Sequence, residues 1–245
     1  MTKDGRPSRL RDIRLISGPH FTYEEGCEEA KAFARRLAWW LNGEELSVGS
    51  NHTVFVRLST ELAPGVAEPG ALSRDADSWQ KRDVAVGVDP ASSADEADRV
   101  AMEAVELSLT ALAPQHAESI ARAAETVTEA GADCRFLLRR KETAKEVVEC
   151  SSTIATWPAA SRLFVSLTDK TTGGYREAPP IEVKVYDDAV YLAGKIKRTR
   201  EGIGLDPRGS YPAQLISSAT DTLGWGLDEL TPAERPPMSG LLNLR

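Results

Sequence analysis

Apolar residues in the first part of the chain recur mainly at helical spacing. The clearest stripe repeats every three or four positions between Cys27 and Leu41, and it predicts a helix over residues 23–42. Thr22 and Glu25 have the spacing of a capping box, in which each side chain satisfies an open amide of the first turn. This segment is the first of three predicted main helices.

Two more stripes follow, on either side of Pro114, over residues 97–112 and 117–127. Runs rich in β-branched residues predict strands within 11–17, 46–59 and 83–88, the second of them central in a sheet because it is apolar on both faces. Residues 60–80 contain two Pro-Gly breaks, which predict a surface loop.

The pattern changes to strand spacing at residue 134. Five runs are separated by short turn signals: Arg135–Arg139, Val147–Ala155, Arg162–Thr168, Ile181–Tyr186 and Ala189–Lys197. Consecutive strands with such short links favour an antiparallel meander. The predicted fold class is therefore α+β, a mixed N-terminal strand/helix part with three main helices followed by a C-terminal antiparallel β-meander.

The length of 245 residues allows one large domain or two small ones. We expect a single α+β domain over residues 1–200, with a helix-rich part (1–133) and an antiparallel sheet (134–200) as its subdivision. Residues 201–245 are rich in Gly and Pro and predict a C-terminal tail with a short helix within 214–225.

Composition narrows the class of protein. No apolar run reaches the roughly 18 residues of a transmembrane helix, and the charged N-terminus lacks the features of a signal peptide. The cysteines are widely spaced and odd in number, which indicates reduced thiols and no zinc site: Cys27, Cys134 and Cys150. These features predict a cytoplasmic protein without a membrane partner, a metal or a cofactor.

The formal charge of −7 is unevenly distributed along the chain. Residues 89–133 carry ten acidic side chains against Arg99 and Arg122 only. Such a surface serves either to solvate a helix face or to dock a basic protein partner. The candidate protein-binding residues are Asp95, Asp98, Glu103, Glu106 and Trp79, the tryptophan as an exposed interface anchor. Oligomeric state stays open.

Residues 134–200 have the opposite balance, with 13 basic and 8 acidic side chains. Basic residues on edge strands commonly prevent unwanted sheet pairing, and this is one interpretation. The other is an anionic ligand, although no aromatic residues are interleaved as they are in single-strand nucleic-acid sites. The sequence therefore predicts no clear nucleic-acid site.

Catalytic signatures are missing from the sequence. There is no nucleophile elbow and no P-loop, and the histidines (His20, His52 and His116) match no established metal-ligand spacing. His20 comes closest, since Glu24 and Cys27 come after it at helical spacing. We name no catalytic or metal-binding residue, and the sequence leans against an enzyme.

In element order and acidity the chain resembles bacterial toxin-immunity (inhibitor) proteins. The resemblance lies in the strand RDVAVGVD, the acidic helix ADEADRVAMEAVELSLTAL and the later antiparallel strands. It implies a non-enzymatic inhibitor that neutralises a toxin through an acidic face. Two alternatives remain: an enzyme or nucleotide-sensing protein with a site around His20, His52 and the basic strands, and a structural subunit of a larger assembly.

Overall fold

Two compact units, Met1–Gly131 and Ala132–Arg245, make up the chain. Their coordinates come from a computed structural model, which describes residues 9–17, 22–23, 26–74, 80–218, 220 and 223–242. Helices and strands are present in both units, and the strands form three sheets. The predicted α+β class is confirmed.

The first unit contains a five-stranded sheet in the order β2-β1-β3-β5-β4. Its strands are β1 (Asp12–Ser17), β2 (Thr22–Tyr23), β3 (Thr53–Ser59), β4 (Ala67–Arg74) and β5 (Gln80–Gly87). β1, β3 and β5 are parallel, whereas β2 and β4 run antiparallel at the two edges. The central position predicted for β3 is confirmed, and its Val54 and Val56 are fully buried.

Three α-helices lie within the described residues of the first unit: α1 (Glu28–Gly43), α2 (Ala97–Leu112) and α3 (Ala117–Ala130). α1 packs on β1, α2 packs on β3, β4 and β5, and α3 packs on the other two helices. Each turns an apolar stripe inward, so that Leu37, Leu109 and Ile120 are completely buried.

Tertiary pairing overrides two sequence predictions in this unit. The first helix begins at Glu28 rather than at residue 23, because Thr22–Tyr23 pair with β1 as β2; Glu25 lies outside the described residues. The predicted loop at 60–80 contains β4, where Pro69 is accommodated beside a register shift on an edge strand.

The second unit contains the predicted meander. Its strands are β6 (Phe136–Glu142), β7 (Glu146–Ser152), β8 (Ser161–Asp169), β9 (Tyr175–Glu177), β10 (Ile181–Val183), β11 (Lys195–Arg198), β12 (Gly202–Asp206), β13 (Gly224–Gly226) and β14 (Thr231–Pro232). The main sheet has the order β14-β9-β8-β7-β6, with β10 also paired to β8. β11, β12 and β13 form a separate antiparallel sheet.

The two strands predicted over residues 181–197 are wrong in part, because a helix lies between them. That helix, α4 (Tyr186–Leu192), begins where a tight turn was expected. Asp187 and Asp188 lie in its first turn, where carboxylates are favoured by the helix dipole. Asp188 also accepts a bond from the Val185 N–H at 3.4 Å.

The segment from residue 201 onward, expected as a tail, supplies β12, β13, β14 and a helix, α5 (Tyr211–Ser218). One of its glycines, Gly202, has a packing role. A Cβ on Gly202 would lie 2.3 Å from the Trp225 carbonyl oxygen, so only glycine permits this strand spacing. Close strand contact therefore explains Gly202, whereas a Cβ on Gly209 would have open space around it.

Candidate functional site

The predicted protein-binding residues lie in different environments. Asp95 and Glu103 are exposed, and Glu106 is half-buried. Asp98 binds within the fold, because its Oδ1 accepts the Ala30 N–H at 2.7 Å and so satisfies an open amide in the first turn of α1. Trp79 lies outside the described residues.

Most of the acidity predicted for α2, α3 and their approach is at the surface. Seven carboxylates of the first unit in this segment are exposed: Asp89, Asp95, Glu96, Glu103, Glu118, Glu125 and Glu129. The first unit as a whole has 22 acidic and 14 basic residues, so its other basic residues do not cancel the negative charge of this segment. We call these seven residues the acidic surface.

A cavity of about 280 Å³ opens beside this surface, where β5 ends and α2 begins. Its wall combines apolar side chains with charged ones. The apolar lining includes Pro64, Val86, Val88, Val100, Ala104 and Leu107, and the charged lining consists of Asp89, Glu96, Arg99 and Glu103. The carboxyl ends of parallel strands are the usual place for ligand sites in α/β sheets.

Ion pairs organise the charged side of this cavity. Arg99, in the first turn of α2, binds the N-cap residue Glu96 at 3.1 Å and Glu103, one turn further on, at 2.6 Å. The pKa of Glu96 is lowered, first by the Ser93 backbone N–H and then by the Ser93 hydroxyl and Arg99. Three carboxylates against one guanidinium leave the cavity lining with an excess of negative charge.

Three basic side chains on β6 and β11 bind partners inside the second unit. Arg198 forms a bidentate pair with Glu146, at 3.0 and 2.9 Å, and Lys197 binds Asp206 at 3.1 Å. Arg139 donates to the Gly194 carbonyl at 2.9 Å. These three side chains are therefore already engaged in contacts within the fold.

A second group of charges lies on one face of the main sheet. Glu149, Ser166 and Glu177 are direct cross-strand neighbours on β7, β8 and β9. Glu149 is 1% exposed, and Arg235 binds it through the two terminal nitrogens of its guanidinium, at 2.8 and 3.1 Å. We call Glu149, Ser166, Tyr175, Glu177, Arg135 and Arg235 the strap cluster.

The strap itself is the segment 233–237. It leaves the sheet at β14, on one edge, and reaches β6 on the opposite edge, where the Arg135 N–H donates to the Pro237 carbonyl. Arg235 stands midway along this crossing and binds Glu149 beneath it. The cluster therefore fixes the C-terminal segment across the sheet.

The remaining contacts of the strap cluster are short. The Tyr175 hydroxyl donates to Glu177 at 2.6 Å, and burial, followed by this bond, raises the pKa of Tyr175 to about 12. The Arg135 guanidinium lies 3.1 Å from the centre of the Phe164 ring, and its pKa is lowered mainly by burial. Arg135 also binds Glu177 at 3.5 Å, so the charged groups of the strap cluster are paired with one another.

Two of the three histidines lie within the described residues, whereas His20, with Glu24, lies outside them. The His52 ring nitrogen Nδ1 accepts the Gln80 N–H at 3.3 Å. The backbone of His52 also forms hydrogen bonds with Asp12 at the start of β1 and with Gln80 at the start of β5. His116 stands at the N-cap of α3. Within the described ranges, no group of three or more His, Cys, Asp or Glu side chains could hold a metal ion.

Sequence reasoning missed both the cavity and the strap cluster. The connection from β5 to α2 could have indicated the cavity, since a strand followed by a helix is where α/β ligand sites form. Glu149, in the apolar run VVEC, was a signal of a buried charge. Exposed Trp157, 73% accessible, was not singled out either, whereas Trp39 and Trp40 are both buried.

No protein-family model, curated protein or solved structure was found to match this chain. Among the described residues, every helix is too short or too polar to cross a membrane.

Proposed function

We propose that this protein is a non-enzymatic binding protein that recognises a basic protein partner through the acidic surface of its first unit. The single observation that carries this proposal is the exposure of seven carboxylates around α2 and α3. Only two arginines, Arg99 and Arg122, accompany them in that segment. A surface of one sign raises association rates with an oppositely charged partner and discriminates against others.

The most concrete form of this proposal is an immunity-type inhibitor that neutralises a toxin in the bacterial cytoplasm. The resemblance in element order and acidity supports it. Inhibition needs no catalytic group, since a tight complex that covers the toxin's own site is sufficient. The partner would then carry a basic surface of matching size.

Two charge-reversed variants of equal net charge test the proposal. The first replaces Asp95, Glu125 and Glu129 by Lys, and the matched control replaces the exposed Glu182, Glu201 and Glu234 of the second unit by Lys. Wild-type protein and both variants are used as baits in lysate of the native host. A captured protein is then purified for calorimetric titration and for assay of its own activity.

We expect the first variant to lose affinity for the purified partner by at least about tenfold, with little change in the control. Wild-type affinity should fall as salt is raised, because exposed charges are screened. Equal affinity of both variants, or affinity that does not respond to salt, would contradict recognition through the acidic surface. Loss of the partner's activity on binding would support the inhibitor form specifically.

A further inference from the structure

The cavity between β5 and α2 offers a specific anchor within the acidic surface. Its lining is more polar than apolar, but the apolar side chains of Val88, Val100 and Leu107 are only half-buried and so present apolar area to whatever enters. The cavity volume of about 280 Å³ lies at the lower limit of small-molecule pockets, which span about 300–1,000 Å³. It therefore suits one side chain better than a cofactor.

The wall of this cavity is already in place. A Cβ on Gly87 would lie 2.0 Å from the Ala63 carbonyl oxygen, so the loop before β4 lies directly on the end of β5. Two backbone bonds fix that loop, from Gly65 N–H to the Gly87 carbonyl at 3.0 Å and from Gly87 N–H to the Val66 carbonyl at 2.8 Å. Ordering the cavity around an entering side chain would therefore cost little free energy.

The unused acceptors are single oxygens on separate carboxylates. Asp89 Oδ1 accepts the Ala91 N–H at 2.9 Å, and Glu103 Oε1 binds Arg99 at 2.6 Å. The second oxygen of each carboxylate has no partner among the described residues. Glu96, in contrast, engages both of its oxygens, with Ser93 and with Arg99.

We infer that this cavity receives a lysine side chain of the basic protein partner, an inference that rests on the proposed function. The aliphatic stem would cover the apolar walls, and the ammonium group would bind Asp89 and Glu103. An ammonium has three donors on one atom and suits separate acceptors, whereas a guanidinium favours the two oxygens of one carboxylate. Charge complementarity and the apolar stem together select lysine.

The test uses the full 15N-labelled chain and a defined probe, Nα-acetyl-lysine methylamide. Its norleucine analogue keeps the apolar stem without the ammonium, and its arginine analogue replaces the head group. We expect the lysine probe to shift the amide signals of Gly65, Gly87, Val88 and Ala104, and the norleucine probe to bind about tenfold more weakly. Stronger binding of arginine, or equal binding of norleucine, would overturn the assignment.

Two conservative variants distinguish lysine binding in the cavity from attraction by the overall negative charge of the acidic surface. Glu103→Gln keeps an acceptor for Arg99 but removes the charge, and Glu125→Gln removes an equal charge from exposed α3. We expect the first to weaken lysine binding about fivefold and the second by less than about twofold. Equal effects would overturn the cavity.

The two proposals fail in distinguishable ways. If the lysine probe does not bind while charge reversal still weakens the partner complex, the cavity assignment is wrong and the acidic surface stands. If the probe binds in the cavity but charge reversal leaves the partner complex unchanged, the proposed function is wrong and the cavity is only an amine site.

Discussion

Removing the charge of Arg235 should destabilise the second unit, although this residue lies in the strap outside the sheet. Arg235 is 46% exposed, but its partner Glu149 is 1% exposed, so the substitution Arg235→Met leaves a carboxylate buried in the sheet. Among the described residues the next cation, Arg140, is 3.9 Å from Glu149 and also binds Glu142 at 2.9 Å. The geometry thus gives Glu149 one close counter-charge.

The expected magnitude reflects that asymmetry. Removing one partner of a fully buried ion pair costs about 3–5 kcal/mol. Because water reaches Arg235 and screens part of the interaction, we expect the free energy of unfolding to fall by about 2–3 kcal/mol. The double variant Glu149→Gln/Arg235→Met removes the stranded charge, and its loss should be only about 1 kcal/mol.

This effect is measured by urea unfolding, with the NMR signals of β7 and β8 as the probe. These signals report on the second unit alone, and this is needed because the two units need not unfold together. Arg140→Met is the matched control, since Arg140 is 43% exposed and contacts the same carboxylate at longer range. It should cost less than about 1 kcal/mol. A loss below about 0.5 kcal/mol for Arg235→Met, or a double variant no more stable than the single one, would refute the reasoning.

Three further outcomes are expected. Because the pKa of Tyr175 is raised to about 12, its protonated form stabilises the fold below pH 10, and this stability is lost as pH rises through 12. Tyr175→Phe should therefore flatten the fall of the urea midpoint between pH 10 and 12. An unchanged slope in the variant would contradict this expectation. Asp98→Ala should lower the free energy of unfolding by about 1 kcal/mol by exposing the Ala30 amide, which hydrogen exchange at Ala30 measures directly. Gly87→Ala should lower the thermal midpoint and broaden the amide signals around the cavity, since the added Cβ has no room beside the Ala63 carbonyl. An unaltered spectrum would contradict this expectation, because it would show that the loop at Ala63 moves aside at no cost.

The spacing of apolar residues along the chain predicted the helices and strands whose apolar pattern was long and regular. α2 and α3 lie where their stripes placed them, and the first three meander strands do as well, because a buried stripe must repeat with the geometry of its own element. The same reasoning failed at residues 186–192, which were divided between two predicted strands but form α4. Seven residues span two helical turns, too few for periodicity to decide.

The sequence by itself determined the fold class, the main helices and the charge asymmetry, since each depends on local spacing or on counting. Only the tertiary structure decided which charges are available. Asp98 accepts a hydrogen bond from the Ala30 N–H, and Glu149 is buried and paired with Arg235, 86 residues further along the chain. Such pairings join residues distant in sequence, and no local pattern encodes them. The close contact between Gly87 and the loop at Ala63, beside the cavity, is likewise visible only in the packed chain.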